Sequence, residues 1–351
     1  MRSPTVTALA VALILVTAAC SGGSSPATIR PAPGEVVLMT HDSFALSPDT
    51  LDRFTVETGI DVSLLQSGDA GAMLSQAILT KDSPLADVIY GIDNTFLSRA
   101  EAEGIFAPYV SPELESVPAE LRAGDDVTPI DFGYVCVNYD RSAFASASPP
   151  QTLADLTKPA YRDMLVVEDP ASSSPGLAFL LATIAEFGDT GGYTWQDYWA
   201  DLAANGVLVT SGWTEAYEGS FTAGGGGGDR PIVVSYASSP AVGVYFTDPP
   251  PAEAPTAAML DGCFRQVEYA GVVAGSRNPE GAAQLIDFLL SIDVQEDIPL
   301  NMFVYPANRD AALPQVFIDF SEVPTDPATL DPAVIEANRK TWINEWTDIV
   351  R

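Results

Sequence analysis

The chain has 351 residues, 18% of them charged and 47% hydrophobic, enough for two domains and a sizeable core and too apolar for a disordered chain. Its formal net charge of −31 argues against nucleic acid and anionic headgroups as partners, because such a surface repels both. A soluble, salt-tolerant exported surface is the simplest reason for the acidity.

At the N-terminus, Arg2 precedes an apolar run over 8–17. That run is too short to span a bilayer, which takes roughly 20 residues. It ends in Val16-Thr17-Ala18-Ala19-Cys20. Small residues directly before a cysteine resemble a bacterial lipobox. Residues 1–19 are then a lipoprotein-type signal peptide, and acyl chains on Cys20 hold the protein on the outer, extracytoplasmic face of the cell membrane. An ordinary secretory signal is the alternative. Residues 20–34, rich in Gly, Ser and Pro, read as a flexible tether.

The globular part opens with a buried strand over 36–40, a helix from Pro48 to Gly59 and a strand over 61–65. A helix over 71–80 and a strand over 86–90 follow. Strands alternating with helices at this spacing predict an α/β fold with a mostly parallel sheet, whose ligands sit beyond the carboxyl ends of strands. After residue 130 the pattern restarts. Strands are predicted over 132–139, 164–167, 207–209, 232–236 and 264–274, and helices over 153–156, 177–187, 195–204, 279–292 and 332–350. The long strands 132–139 and 264–274 bracket the middle of the chain. A chain that leaves one lobe, builds another and returns on an adjacent strand makes two lobes joined by a two-strand hinge, a closing-cleft design. The expected division is 35–133 with 270–351 as lobe 1 and 134–269 as lobe 2. Cys136 and Cys263 then fall on the two crossover strands. An exported compartment permits their disulfide, and two separate buried thiols are the favoured reading.

Three segments at strand ends carry the chemistry. Ser172-Ser173-Ser174-Pro175-Gly176 sits where a helix begins, and free N–H groups with added hydroxyls suit a phosphate or alcohol oxygen. One serine is accounted for by simple capping. Gly212-Trp213-Thr214-Glu215-Ala216-Tyr217 offers a flat indole face for a cationic ring, with Glu215 as counter-charge and Tyr217 beside it. Half-buried packing is the alternative for both aromatics. Tyr236-Ala237-Ser238-Ser239-Pro240 repeats the hydroxyl pattern with a phenol, against an ordinary serine turn. The only histidine, His41, follows the first strand and is expected in the cleft. Without a Gly-x-Ser-x-Gly elbow or a second histidine, neither a serine hydrolase nor an ordinary zinc site is expected. Five glycines over 224–228 lack the Lys-Ser/Thr of a phosphate loop and read as a flexible surface loop.

In these same residues the sequence resembles the periplasmic thiamine-binding proteins of bacterial ABC importers. The resemblance runs from about Val36 to the end. It is carried by His41-Asp42-Ser43-Phe44, Ala86-Asp87-Val88, Asp131-Phe132-Gly133-Tyr134, the three segments above and Trp342-Ile343-Asn344-Glu345-Trp346. It implies a two-lobed class II binding fold closing over thiamine or its phosphate esters, with no cofactor, no catalysis and a monomer that docks on a permease driven by an ATPase. It implies ligand contacts at Asp69, Ala70, Ser173, Ser174, Trp213, Tyr236, Ala237, Ser238 and Ser239. The serines would hold the hydroxyethyl or phosphate end, Trp213 and Tyr236 would flank the rings, and Asp69 would meet the aminopyrimidine or the thiazolium charge. This chain carries His41 where the family usually shows a tyrosine, Phe303 where a tryptophan is typical and Ala70 for a glycine. Phe303 keeps ring stacking, and His41 brings pH dependence. The alternatives are the same fold with another cation as cargo, or a secreted hydrolase acting on a thiamine-like compound. Iron would want adjacent tyrosines, which Ser235-Tyr236 lacks, and a polyamine would want several acids around an aromatic box.

Overall fold

The computed structural model describes residues 34–351. The leader, Cys20 and all of the tether except Gly34 lie outside the described residues. In chain order the regular elements are β1 (Glu35–Thr40), α1 (Thr50–Thr58), β2 (Asp61–Gln66), α2 (Ala70–Leu79), β3 (Val88–Asp93), α3 (Leu97–Ala102) and β4 (Thr128–Asp140). Then come β5 (Leu165–Glu168), α4 (Ser174–Phe187), α5 (Trp195–Ala204), β6 (Leu208–Thr210), β7 (Ile232–Tyr236) and α6 (Pro240–Tyr245). The chain closes with β8 (Thr256–Val272), α7 (Pro279–Leu289), α8 (Ile292–Asn301), β9 (Tyr305–Pro306), α9 (Gln315–Phe320) and α10 (Pro332–Val350).

Local chemistry sets most of these ends. Gly59 adopts φ 74° and closes α1, a conformation that only glycine takes without strain. Asp69, Ser173 and Asn278 cap the starts of α2, α4 and α7. Thr194 and Asp197 form a reciprocal capping box on α5.

The strands form one sheet in the order β2-β1-β3-β8-β4-β7-β5-β6, with β9 added to β4. Its ends are parallel triplets, β2-β1-β3 and β6-β5-β7. Between them β8 and β4 run antiparallel to their neighbours and to each other. The expected parallel halves are thus present, but fused through two long crossover strands. The two long strands expected to bracket the middle of the chain are β4 and β8, paired at the centre of the sheet. A third link is α10. Its Trp346 packs edge-on against Trp199 of α5 with centroids 5.4 Å apart, and its Arg339 donates to Ser98 of α3 at 3.0 Å. Burial of such indoles and of the largely apolar α4, whose Thr183 accepts the Trp199 indole N–H at 2.9 Å, stabilises the core.

Two expectations are corrected. Cys136 and Cys263 are not separate thiols but a disulfide, with sulfurs 2.03 Å apart. The reason is register: β8 bulges between Met259, opposite Val137, and Phe264, opposite Val135, and so brings Cys263 against Cys136. The helix expected over 279–292 is α7 and stops at Leu289, and a further helix that was not expected, α8, follows from Ile292 with Pro299 inside it.

Candidate functional site

The carboxyl ends of the parallel strands of both halves face a common cavity of about 1000 Å³. β1 delivers His41, the β2–α2 turn Asp69 and Ala70, and the start of α4 Ser174. The turn after β6 delivers Trp213 and Tyr217, β7 Tyr236 and Ser239, and the stretch before β9 Phe303. These nine sequence-predicted residues all line the cavity.

The halves meet at Asp69. Its Oδ1 accepts the N–H of Ala70 at 2.7 Å and that of Ser174 at 3.3 Å, and its Oδ2 accepts the N–H of Trp213 at 3.0 Å. One carboxylate therefore caps α2, to which it belongs, and reaches across to α4 and to the β6 turn. The Ser172 carbonyl accepts the N–H groups of Gly71 and Ala72 at 2.9 and 3.2 Å. Backbone lies so close to backbone here that a Cβ on Gly71 would sit 2.8 Å from the Ala171 carbonyl oxygen. Asp69, expected to meet the ligand, lines the cavity, and both of its carboxylate oxygens are engaged by these three N–H groups.

The aromatic wall is preorganised. Trp213 stacks on Tyr217 with centroids 4.9 Å apart and planes 11° from parallel. Its Nε1–H donates to Ser235 Oγ at 2.9 Å, which lies 2.8 Å from Ser239 Oγ. The indole N–H is thus used inside the protein, and the ring presents its face. Tyr236 donates its hydroxyl to Gln266 Oε1 at 3.3 Å. Phe303 takes φ 55°, unusual for a bulky residue, and Ser238 Oγ fixes it by donating to its carbonyl at 2.5 Å. Its ring stacks on Phe317 of α9 at 6.1 Å.

The floor is a buried polar group. Glu268 of β8 accepts from Gln266 Nε2 at 2.9 Å through Oε1, and its Oε2 lies 3.4 Å from His41 Nε2. Ser43 Oγ lies 2.9 Å from His41 Nδ1. Burial opposes a charge on His41, but Glu268 first, then Asp69 and Asp42, outweigh it and raise the imidazole above its ordinary value. Beneath, Tyr90 donates its hydroxyl to Asp131, whose carboxyl burial and then Glu268 push well above the usual range. Burial likewise raises Asp93 to about 7. Glu268 Oε2 and Ser174 Oγ are buried without a hydrogen-bond partner.

Four predicted residues do not reach the cavity wall. Ser173 is spent capping α4, its Oγ accepting the Gly176 N–H at 3.3 Å. Ser238 holds Phe303, and Ala237 is buried beside the disulfide. Glu215 folds back to accept the N–H and hydroxyl of Ser211 at 3.0 and 2.8 Å. Conversely, Glu268, Phe246 and the glycines at 224–226 line the cavity without having been foreseen as site residues. Glu268 carried no distinguishing signal, since Asp261, Arg265 and Gln266 share its strand. The glycine run is an exposed loop, as read, but it lies at the cavity rim. It rests on the π-helical turn Glu215–Ser220 so closely that a Cβ on Gly224 would fall 1.6 Å from the Tyr217 carbonyl oxygen. Among the described residues no group of three metal-ligating side chains occurs.

The chain is 31% identical over 328 residues to the thiamine-binding periplasmic protein of Salmonella typhimurium, covering 92% of this chain and 94% of that one. It is 32% identical over 319 residues to the protein of the same description from Escherichia coli K12, covering 89% and 92%. A solved periplasmic thiamin binding protein superimposes with a TM-score of 0.79 at 29% identity, over 90% of this chain and 96% of that one. Residues 83–320 match the family described as bacterial extracellular solute-binding protein. With a sheet crossed by two strands and a cavity between its halves, the chain belongs to the bacterial extracellular solute-binding proteins and has their two-lobed class II fold.

Proposed function

We propose that the protein is the extracytoplasmic solute-binding component of an ABC importer and that its cargo is thiamine or a thiamine phosphate ester. The observation that carries this reading is the cavity itself. A stacked Trp213–Tyr217 pair lines the same cavity as a buried carboxylate on Glu268 that keeps one oxygen without a hydrogen bond, which suits a flat ligand with a permanent positive charge. Thiamine is such a molecule, and relatives that cover nine-tenths of the chain carry thiamine in their names. Lobe 1 (35–133 with 270–351) and lobe 2 (134–269) close over it and later release it unaltered to a permease and its ATPase. Binding favours the closed state by differential contact and needs no chemistry. The protein acts as a monomer, tethered by acyl chains on Cys20 through 20–34. Support for the tether is the run of small residues before that cysteine.

Calorimetric titration of thiamine into the wild type and into Trp213→Ala tests the reading. Loss of the ring face is expected to weaken binding at least ~10-fold, within the range of an aromatic and cation–π contact. Equal affinities would remove the indole from the site.

A further inference from the structure

The cavity is lined by four acids, Asp42, Asp69, Glu218 and Glu268, and by one basic side chain, His41. No lysine or arginine lines it among the described residues. The acids are not equivalent. Asp69 is bound to three backbone N–H groups, and Asp42 and Glu218 are exposed to solvent. Glu268 alone is buried and keeps an oxygen, Oε2, with no hydrogen bond. Gln266 fixes the carboxylate through the other oxygen, so Oε2 is aimed and not free to turn away. The nearest positive group to Oε2 is the His41 ring, at 3.4 Å. A buried carboxylate needs such a partner.

Resting on the thiamine reading above, we propose that Glu268 is the residue that recognises the ligand's positive charge. It does so by exchanging His41 for the ligand, so that His41 gives up a proton to solvent when a cation enters. One carboxylate oxygen cannot sit equally close to two cations in a low-dielectric cavity without their mutual repulsion. The thiazolium charge is permanent and cannot be shed. The imidazolium proton can be, and Ser43 Oγ beside Nδ1 supplies the neutral ring with a hydrogen-bond partner in either tautomer. The exchange keeps the total charge of the closed cavity constant. The groups facing His41 are all accounted for in this balance: Glu268 on β8, Asp69 at α2, Asp42 in its own loop and the neutral Tyr90 ring on β3, 6.2 Å away. Asp131 on β4 adds its effect through Glu268. With Glu268 beside it, His41 holds its proton beyond its ordinary value, so the exchange is visible near neutrality.

The test is a calorimetric titration of thiamine into untagged protein near neutral pH, in buffers of different ionisation heat. The expected result is a buffer-dependent heat equivalent to roughly one proton released per thiamine bound. Glu268→Gln should abolish the release and weaken thiamine at least ~10-fold, while weakening an analogue with an uncharged ring in place of the thiazolium far less. Should that variant fail to fold, the wild type suffices. His41 is the only histidine, so its ring proton resonance reports the titration directly, and its midpoint should move to lower pH when thiamine saturates the site. Thiamine binding with buffer-independent heat and an unmoved His41 midpoint overturns the exchange and leaves the thiamine reading standing. Absence of thiamine binding in every buffer overturns both.

Discussion

Alanine at Asp69 is expected to weaken thiamine binding ~100-fold while leaving each lobe folded. The carboxylate serves N–H groups at the starts of α2 and α4 and after β6, two of them across the cleft. Alanine strands these donors at a dry contact where each unsatisfied group costs about 1–3 kcal/mol. The penalty falls on the closed state alone, because open lobes expose the same N–H groups to water. Neither hydrophobic half depends on this contact. The thermal midpoint without ligand should therefore move little, whereas small-angle scattering of the thiamine-saturated variant should report a more open particle than the wild type. Titration calorimetry reads the affinity. An affinity within twofold of wild type would show that Asp69 does not latch the cleft.

Removing the Cys136–Cys263 bridge should produce the largest loss of stability. The bridge joins residues 127 apart in sequence. Releasing a loop of that size restores chain entropy worth ~4–5 kcal/mol in the usual polymer treatment, and measured removals run about 2–5 kcal/mol. The double Cys→Ala variant, or the wild type under reductant, should unfold at markedly lower urea. Neither cysteine lines the cavity, so thiamine affinity under folding conditions should stay within about threefold. An unchanged urea midpoint would mean that the β4–β8 pairing alone already constrains the unfolded chain.

Segments were more legible in the sequence than the directions of the side chains within them. Apolar runs of β length and the alternation with helices placed β1, β2, β5 and β7, and α5 and α10 to their ends, because those signals are local. The crossover pair was legible because two long strands bracket the middle of the chain. The disulfide was not, since it depends on where β8 bulges, a register no single strand encodes. β8 also starts at Thr256, before the apolar stretch, because its first residues are small and mixed and are held by pairing to β4.

At the site the limit was one of direction. In the serine cluster, Ser174 lines the cavity as the first residue of α4, and Ser173, one place earlier, is its cap. Glu215 looked like a counter-charge because it follows Trp213, yet a local turn satisfies it with Ser211. Glu268 hid among 47 acids, most of them solvated. Only the packing of β8 between β3 and β4 shows it to be buried and facing His41.

Equilibrium dialysis of labelled thiamine against the purified protein, followed by mass analysis of what is released on denaturation, bears most directly on the central claim. Saturable uptake of one equivalent, recovered as intact thiamine, is the predicted result. No retention at millimolar thiamine, or recovery of a cleaved product, would contradict it.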